Sequence, residues 1–268
     1  MENNSYTQED GKMNRLVRRK TIISFSFFIL AIGFAFVCWK WLNSQHQENN
    51  ALKPLRTVLD SNEKVNAVFF NRKHLAPEYP KNKAVKEARV NGDIGMGEAF
   101  DPSNWKLTVN RHPDTADSVL QLTMNQIKLL PKREVIFEFK CVEGWSQITH
   151  WDGVRFSDFI AKYHLGTHSG KTPDPNHPED LYKYVGLMTP DSSYYVGIDM
   201  KSMMQEQTLL CYELNDKPLP MDQGYPLRLI ITVKYGFKSL KRIGSIYFSD
   251  TRPPDYWFEN GYDYDAAL

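Results

Sequence analysis

Apolar and polar positions alternate in short runs through most of this chain, the period-two pattern of half-buried strands. Six runs carry it: "NWKLTV" (104–109), "EVIFEFKC" (134–141), "YKYVGLM" (182–188), "QTLLCYEL" (207–214), "LRLIITV" (227–233) and "GSIYFS" (244–249). Asn215-Asp216-Lys217, directly after the fourth run, reads as a turn. Helical periodicity is sparse. "SDFIAKYHL" carries Phe159, Ile160 and Tyr163 on one face behind a capping Ser157, and "DMKSMMQ" from Asp199 is a second short candidate. The polar, proline-bearing segment 166–180 reads as a surface loop. No internal repeat is visible. The pattern predicts a β-rich α+β domain rather than a doubly wound α/β one.

The N-terminal part is different. Ile22 to Trp39 is eighteen residues without a charge, enough to cross the hydrocarbon of a bilayer as a helix. Lys12, Arg15, Arg18, Arg19 and Lys20 precede it, whereas only Lys40 follows before Lys53. The basic flank belongs in the cytoplasm, which sends Leu42 and all that follows to the outer side. Trp39 and Trp41 sit as interfacial anchors would. A cleaved signal peptide is the alternative, but "AFVCWKW" lacks small residues at the cleavage spacing, which favours a retained single-pass anchor. Arg18-Arg19 also has the form of a twin-arginine export signal. The expected organisation is a cytoplasmic tail (1–21), an anchor (22–41), a polar linker (42–67) and one globular domain (68–268).

Composition narrows the function classes. Hydrophobic residues are 41% of the 268, which supports a sizeable core, and 33 Lys+Arg against 32 Asp+Glu leave no basic excess for a nucleic-acid partner. Three cysteines, Cys38, Cys141 and Cys211, are too few and too scattered for a disulfide framework.

Cys141 ends a strand-like run in "FEFKCVEGWSQITHW", with Glu143 and Trp145 just beyond it. On the residues alone it is a core residue, half of a disulfide with Cys211, a nucleophile supported by His150, or a metal ligand through its thiolate. One cysteine cannot hold a metal alone, so a cofactor would have to complete the coordination. A second stretch, "GYPLRLIITVKYGFKSLKRIGSIYFSD" (224–250), sets Arg228 ahead of a turn bearing Lys238, Lys241 and Arg242. Cations and free backbone N–H groups at such a turn form either an anion cradle or a solvated basic loop. His164, His168 and His177 have partly zinc-like spacing, but Gly166 argues against the helix that would align the first two.

Taken together, "CVEGWSQITHWDGVRFSDFI" and "PLRLIITVKYGFKSLKRIGSIYFSDTRPPDYW" resemble the molybdopterin-binding domain of the sulfite oxidase superfamily. The likeness is strongest to its bacterial branch, the catalytic subunits of periplasmic methionine-sulfoxide reductase systems, and covers about Phe69 to Tyr262. The resemblance implies a sulfite-oxidase-like fold holding molybdenum and molybdopterin, with Cys141 as the thiolate ligand. It implies cofactor contacts at Thr189, Gln223, Arg228, Lys238, Ser239, Leu240 and Lys241. "FFNRKHLAP" (69–77) adds Arg72 and His74.

The departures bear on substrate. Lys73 stands where sulfite oxidases carry asparagine, and Gln223 where the bacterial reductases do. Val142-Glu143 replaces the Ala-Gly-Asn-Arg that follows the cysteine in sulfite oxidases, removing a sulfite-binding arginine. Glu143 is therefore a candidate catalytic or pocket-wall residue, with Trp145 and Tyr235 beside it. The implied function is oxo transfer that reduces S-oxides, with electrons from a membrane haem protein. The alternatives are oxidation of sulfite or another small oxyanion, and a cofactor-free binding module. The family inserts its cofactor before export, which strengthens the twin-arginine reading.

Overall fold

The computed structural model describes residues 3–71, 75–97, 100–110, 119–174 and 176–268, with side chains from Met13 onward. The chain divides into two compact units, 1–48 with 52–56, and 49–51 with 57–268.

The first unit is built on one helix, α1 (Asn3–Asn43). Its segment Met13–Asn43 is apolar and long enough to cross a membrane. Phe25, Phe27, Phe28, Ile29, Leu30, Phe34 and Phe36 all point outward. The helix starts well before the apolar run, because nothing among residues 3–21 breaks it: the stretch has no proline, and Gly11 is its single glycine.

Two short strands, β1 (Gln47–Glu48) and β2 (Ala51–Leu52), flank Asn49 and Asn50, which both hold positive φ. They lead to α2 (Lys53–Phe69), in a stretch whose polar composition reads as linker. Pro54 suits the first turn of that helix, where its missing N–H costs nothing. Asp60 and Glu63 bind Arg252, and the Asn66 amide donates to Asp265 at 3.3 Å. Tertiary polar contacts, invisible in a single-sequence pattern, hold the C-terminal part of this helix.

In chain order the second unit continues with β3 (Leu107–Asn110), β4 (Val119–Leu122), α3 (Met124–Lys128), β5 (Lys132–Lys140), β6 (Ser146–Arg155) and α4 (Phe156–Tyr163). Then come β7 (Tyr184–Met188), β8 (Tyr195–Asp199), α5 (Met200–Met203), β9 (Leu209–Leu214), β10 (Lys217–Pro218), β11 (Arg228–Ile230), β12 (Ser245–Ser249) and α6 (Tyr256–Glu259).

The strands form two five-stranded sheets, β10-β9-β6-β5 with β11 also on β9, and β4-β3-β12-β7-β8. Only β3 and β12 pair in parallel among the described strands. This is the expected α+β class. The core between the layers is continuous, with Leu107, Phe156, Phe159, Leu187, Leu229, Leu240 and Phe248 fully buried. Burying each such side chain contributes about 1.5–3 kcal/mol, which fixes the sheets that carry the site.

All six predicted strands form, but "LRLIITV" yields only Arg228–Ile230 because the chain then turns away. α4 also departs from expectation: Arg155, not Ser157, is its N-cap, and no side chain caps it. Burial of Phe156 pulls the first turn forward. Asp199 does cap α5, accepting from the Ser202 amide at 2.8 Å. The Asn215-Asp216 turn joins β9 to β10 with positive φ at both residues, the requirement of a type I′ hairpin.

Candidate active site

Strand β5 delivers Cys141 to the tight turn between β5 and β6. The Gly144 N–H donates to the Cys141 carbonyl at 3.1 Å, and the Cys141 N–H donates to that of Trp145 at 2.9 Å. Gly144 sits at φ +89°, open to glycine at little cost, so the turn can be this sharp. The cysteine is buried, and its Sγ receives the Asn91 side-chain amide at 3.7 Å. All three cysteines are free, so the Cys141–Cys211 disulfide does not form. Cys211 lies on β9 opposite Arg228, and burial pushes its thiol well up, which keeps it neutral and inert.

Glu143 is exposed at the rim of this turn and accepts the Trp145 indole N–H at 3.0 Å. That bond, then one from Asn91 and the charge of Arg89, hold its carboxyl below the usual range, so it stays ionised. Trp145 stacks on Phe139 at 6.1 Å, and the Arg89 guanidinium lies over its ring at 4.8 Å from the centre. A Cβ on Gly236 would meet Phe139 at 2.4 Å, so the backbone beside Tyr235 packs directly on this aromatic wall.

The cationic half comes from β11 and the turn after it. Arg228 is buried, donating to the Gln223 carbonyl at 3.1 Å, the Gln223 Oε1 at 2.8 Å and the Ser239 carbonyl at 3.3 Å. Its guanidinium stands 4.5 Å from the Trp151 ring centre, and its Nε has no hydrogen-bond partner among the described residues. Burial without a carboxylate pulls its pKa down to about 10. Lys241 donates to the carbonyls of Gly92 (2.9 Å) and Asp222 (3.0 Å), and burial, then the charge of Arg228, lowers it to about 8. Arg242 reaches the carbonyls of Tyr225, Gly97 and Met221 at 3.2–3.3 Å. These three cations meet neutral acceptors, an arrangement that disfavours the charged forms until an anion arrives.

The other expected contacts fall into place unevenly. Gln223 ties this cluster to the chain at Ala88 and Arg89, donating at 3.1 and 3.3 Å. Thr189 is buried and bonds Asp191 at 2.6 Å. Ser239 offers its carbonyl to Arg228 and its hydroxyl to the Ile231 N–H, while Leu240 is core and pairs its carbonyl with the Leu229 N–H at 2.9 Å. Lys238 is not brought to the cluster. Its Nζ is fully buried against Asp255 (2.5 Å) and the Gly197 carbonyl (3.0 Å), so the side chain serves an internal ion pair. Arg72 and His74 lie outside the described residues.

Sequence reasoning missed the segment that links the two halves. Residues 88–97 run past Gln223, Trp145, Cys141, Lys241 and Arg242 in turn. At Gly95, φ is +76° and a Cβ would lie 2.4 Å from Thr189 Cγ2, so only glycine permits the approach. The clue in the sequence was the glycine spacing of "NGDIGMG", 91–97, which has no strand or helix period. The three histidines do not converge: His164 contacts Thr172, His168 Asp250, and His177 Glu179.

Residues 94–257 match the model of the oxidoreductase molybdopterin binding domain. The chain belongs to this family. Among curated proteins it is 29% identical over 198 residues to the putative protein-methionine-sulfoxide reductase subunit YedZ1 of Azospira oryzae, covering 73% of this chain and 69% of that one. It is 34% identical over 161 residues to the protein-methionine-sulfoxide reductase catalytic subunit MsrP of Burkholderia mallei, covering 58% and 47%. The MsrP of Campylobacter jejuni is 28% identical over 177 residues, covering 61% and 55%. The chain thus spans about half the length of these MsrP relatives. The solved sulfane dehydrogenase SoxCD from Paracoccus pantotrophus aligns with a TM-score of 0.46 at 15% identity, over 68% of this chain and 46% of that one.

Family membership makes the chain an oxidoreductase that uses molybdopterin-bound molybdenum. The residues present fit that group. A buried arginine with an orphaned Nε and no carboxylate partner among the described residues suits a phosphate, and a free cysteine contacted by Asn91 of the same segment suits a soft metal.

Proposed function

We propose that this chain reduces S-oxides at a cysteine-ligated molybdenum, held at a membrane by α1 with its catalytic unit on the periplasmic side. The observation that carries the reading is Arg228, a buried cation with no anionic partner among the described residues, joined through Gln223 to the segment that also touches the Cys141 sulfur.

When bound, the molybdenum–pterin group supplies two-electron oxo transfer. Cys141 presents one thiolate, and Asn91 fixes the direction of that sulfur. Arg228 and Lys241 would clamp the cofactor phosphate, with Gln223, Thr189 and the Ser239-Leu240 backbone around the pterin. Phe139 and Trp145 give the substrate an apolar wall. Glu143, ionised at the rim, repels dianions while a neutral S-oxide is indifferent to it. Sulfoxide reduction is supported by the names of the MsrP relatives. Electrons come from a membrane haem protein, consistent with an apolar helix at the N-terminus.

A second reading, oxidation of a small oxyanion, is favoured by Arg89, whose cation beside Glu143 offsets the rim charge. One experiment separates them. The purified chain is assayed for molybdenum, for sulfoxide reduction with a reduced viologen, and for sulfite oxidation with an artificial acceptor. About one molybdenum per chain, sulfoxide turnover and loss of both activities in Cys141→Ser are expected. Full activity in Cys141→Ser sinks the ligand assignment, and sulfite oxidation without sulfoxide turnover reverses the two readings.

A further inference from the structure

A second cluster of potential ligands begins seven residues upstream of Cys141, at Glu134 on β5, about 23 Å away at strand rise. Glu134 on β5 pairs across the ladder with Asp152 on β6, and His150 emerges on the same face two residues earlier. The β9–β10 turn brings Asp216 over them. One ligand atom from each of the four lies within 4.8 Å of the others.

Acidic groups crowd many surfaces, but this cluster has a buried floor. His150 and Asp152 are 3% and 2% exposed, and His150 Nε2 and Asp152 Oδ2 make no hydrogen bond among the described residues. The ring nitrogen faces Glu134 Oε2 at 2.8 Å, Asp152 Oδ2 at 3.1 Å and Asp216 Oδ1 at 3.9 Å. A single N–H could satisfy one of three converging oxygens, whereas one cation could satisfy all of them.

Charge argues in the same direction. Among the described residues Glu134, Asp152, Glu213 and Asp216 pair with two ammonium groups, Lys81 and Lys132, so the carboxylates here outnumber those ammonium groups four to two. Lys81 now spans Glu134 (2.6 Å) and Asp216 (3.1 Å) from an exposed position and is free to swing away.

We propose that Glu134, His150, Asp152 and Asp216 bind one divalent transition-metal cation of the zinc class, with Lys81 as the resident counter-ion it displaces. Three carboxylate oxygens and one imidazole nitrogen are a borderline-hard set suited to Zn²⁺ rather than to the soft-metal chemistry of Cys141. With bonds of about 2.0–2.2 Å, a tetrahedral ion sets its ligand atoms roughly 3.3–3.6 Å apart, so only small side-chain shifts are needed. Such an ion would pin the β9–β10 hairpin to β5 and β6.

The test is equilibrium dialysis of the purified, EDTA-washed holoenzyme against Zn²⁺, read by metal analysis beside its molybdenum content. The expected result is one zinc per chain. Glu134→Gln and Asp216→Asn, both outside the core, should weaken binding at least about tenfold, and Lys81→Ala should tighten it. Cobalt substituted for zinc should show d–d absorption without a thiolate charge-transfer band, separating this site from Cys141. Absence of saturable zinc binding, or binding that the two carboxylate variants leave unchanged, overturns the proposal.

Discussion

Asn91 donates its side-chain amide to the sulfur of Cys141 at 3.7 Å and also reaches the Glu143 carboxylate. One residue of an irregular segment therefore holds both groups that the turn after β5 presents. A hydrogen bond to a ligating thiolate draws electron density from the sulfur and fixes its direction. Replacing Asn91 with leucine should lower turnover about 10–100-fold, with molybdenum content near wild type and a shifted sulfur-to-metal absorption band. Unchanged absorption and rate together would show that Asn91 only packs there.

Arg228 is expected to govern cofactor retention rather than folding. A charge-assisted hydrogen bond to a buried phosphate contributes about 1.5–3 kcal/mol, and without the anion the guanidinium is an uncompensated buried charge. Arg228→Met should therefore lower pterin content sharply while leaving the melting temperature of the cofactor-free protein equal or higher. Full pterin content in that variant would show that the phosphate lies elsewhere.

The strands were legible because each alternates apolar and polar residues between clear turn signals, and Cys141, Arg228 and Lys241 were legible through the motifs around them. Three things were not. Segment 88–97 has no period, since its backbone is held by side chains from distant strands. The partner of Lys238 is Asp255, seventeen residues on, and nothing local distinguishes that lysine from Lys241. The convergence of Glu134, His150, Asp152 and Asp216 depends on strand register, which a reading of "THW" cannot supply.

The Lys238–Asp255 pair should matter for stability and not for the cofactor. Both side chains are almost wholly inaccessible, and Asp255 also accepts from the Gly197 and Phe258 amides. Asp255→Ala strands a buried ammonium and should cost about 3–5 kcal/mol in a urea titration. Lys238→Met keeps the volume but leaves the carboxylate without its counter-ion, so it too should destabilise, with molybdenum content per folded molecule unchanged. A loss of molybdenum without a loss of stability would move Lys238 back to the cofactor.

Lys241 gives the site a pH dependence whose sign follows from its surroundings. Burial and the nearby charge of Arg228 lower its folded pKa to about 8, below the ordinary lysine value near 10.4. In the cofactor-free protein the folded state therefore releases this proton first as pH rises. Between about pH 8 and 10 the unfolded chain binds more protons at this position, so its contribution to stability increases across that window. Anion binding runs the other way, because only the protonated ammonium attracts a phosphate. Uptake of molybdopterin by the cofactor-free chain should be strong below pH 8 and weaken progressively above it. Once the phosphate is bound, its charge raises the lysine pKa again, so release from the holoenzyme should begin at higher pH than uptake fails. Lys241→Met should bind more weakly throughout and lose this dependence, whereas Lys241→Arg should bind at pH 9 as it does at pH 7. Uptake that declines equally above pH 8 in the wild type and in Lys241→Met would assign the titration to another group.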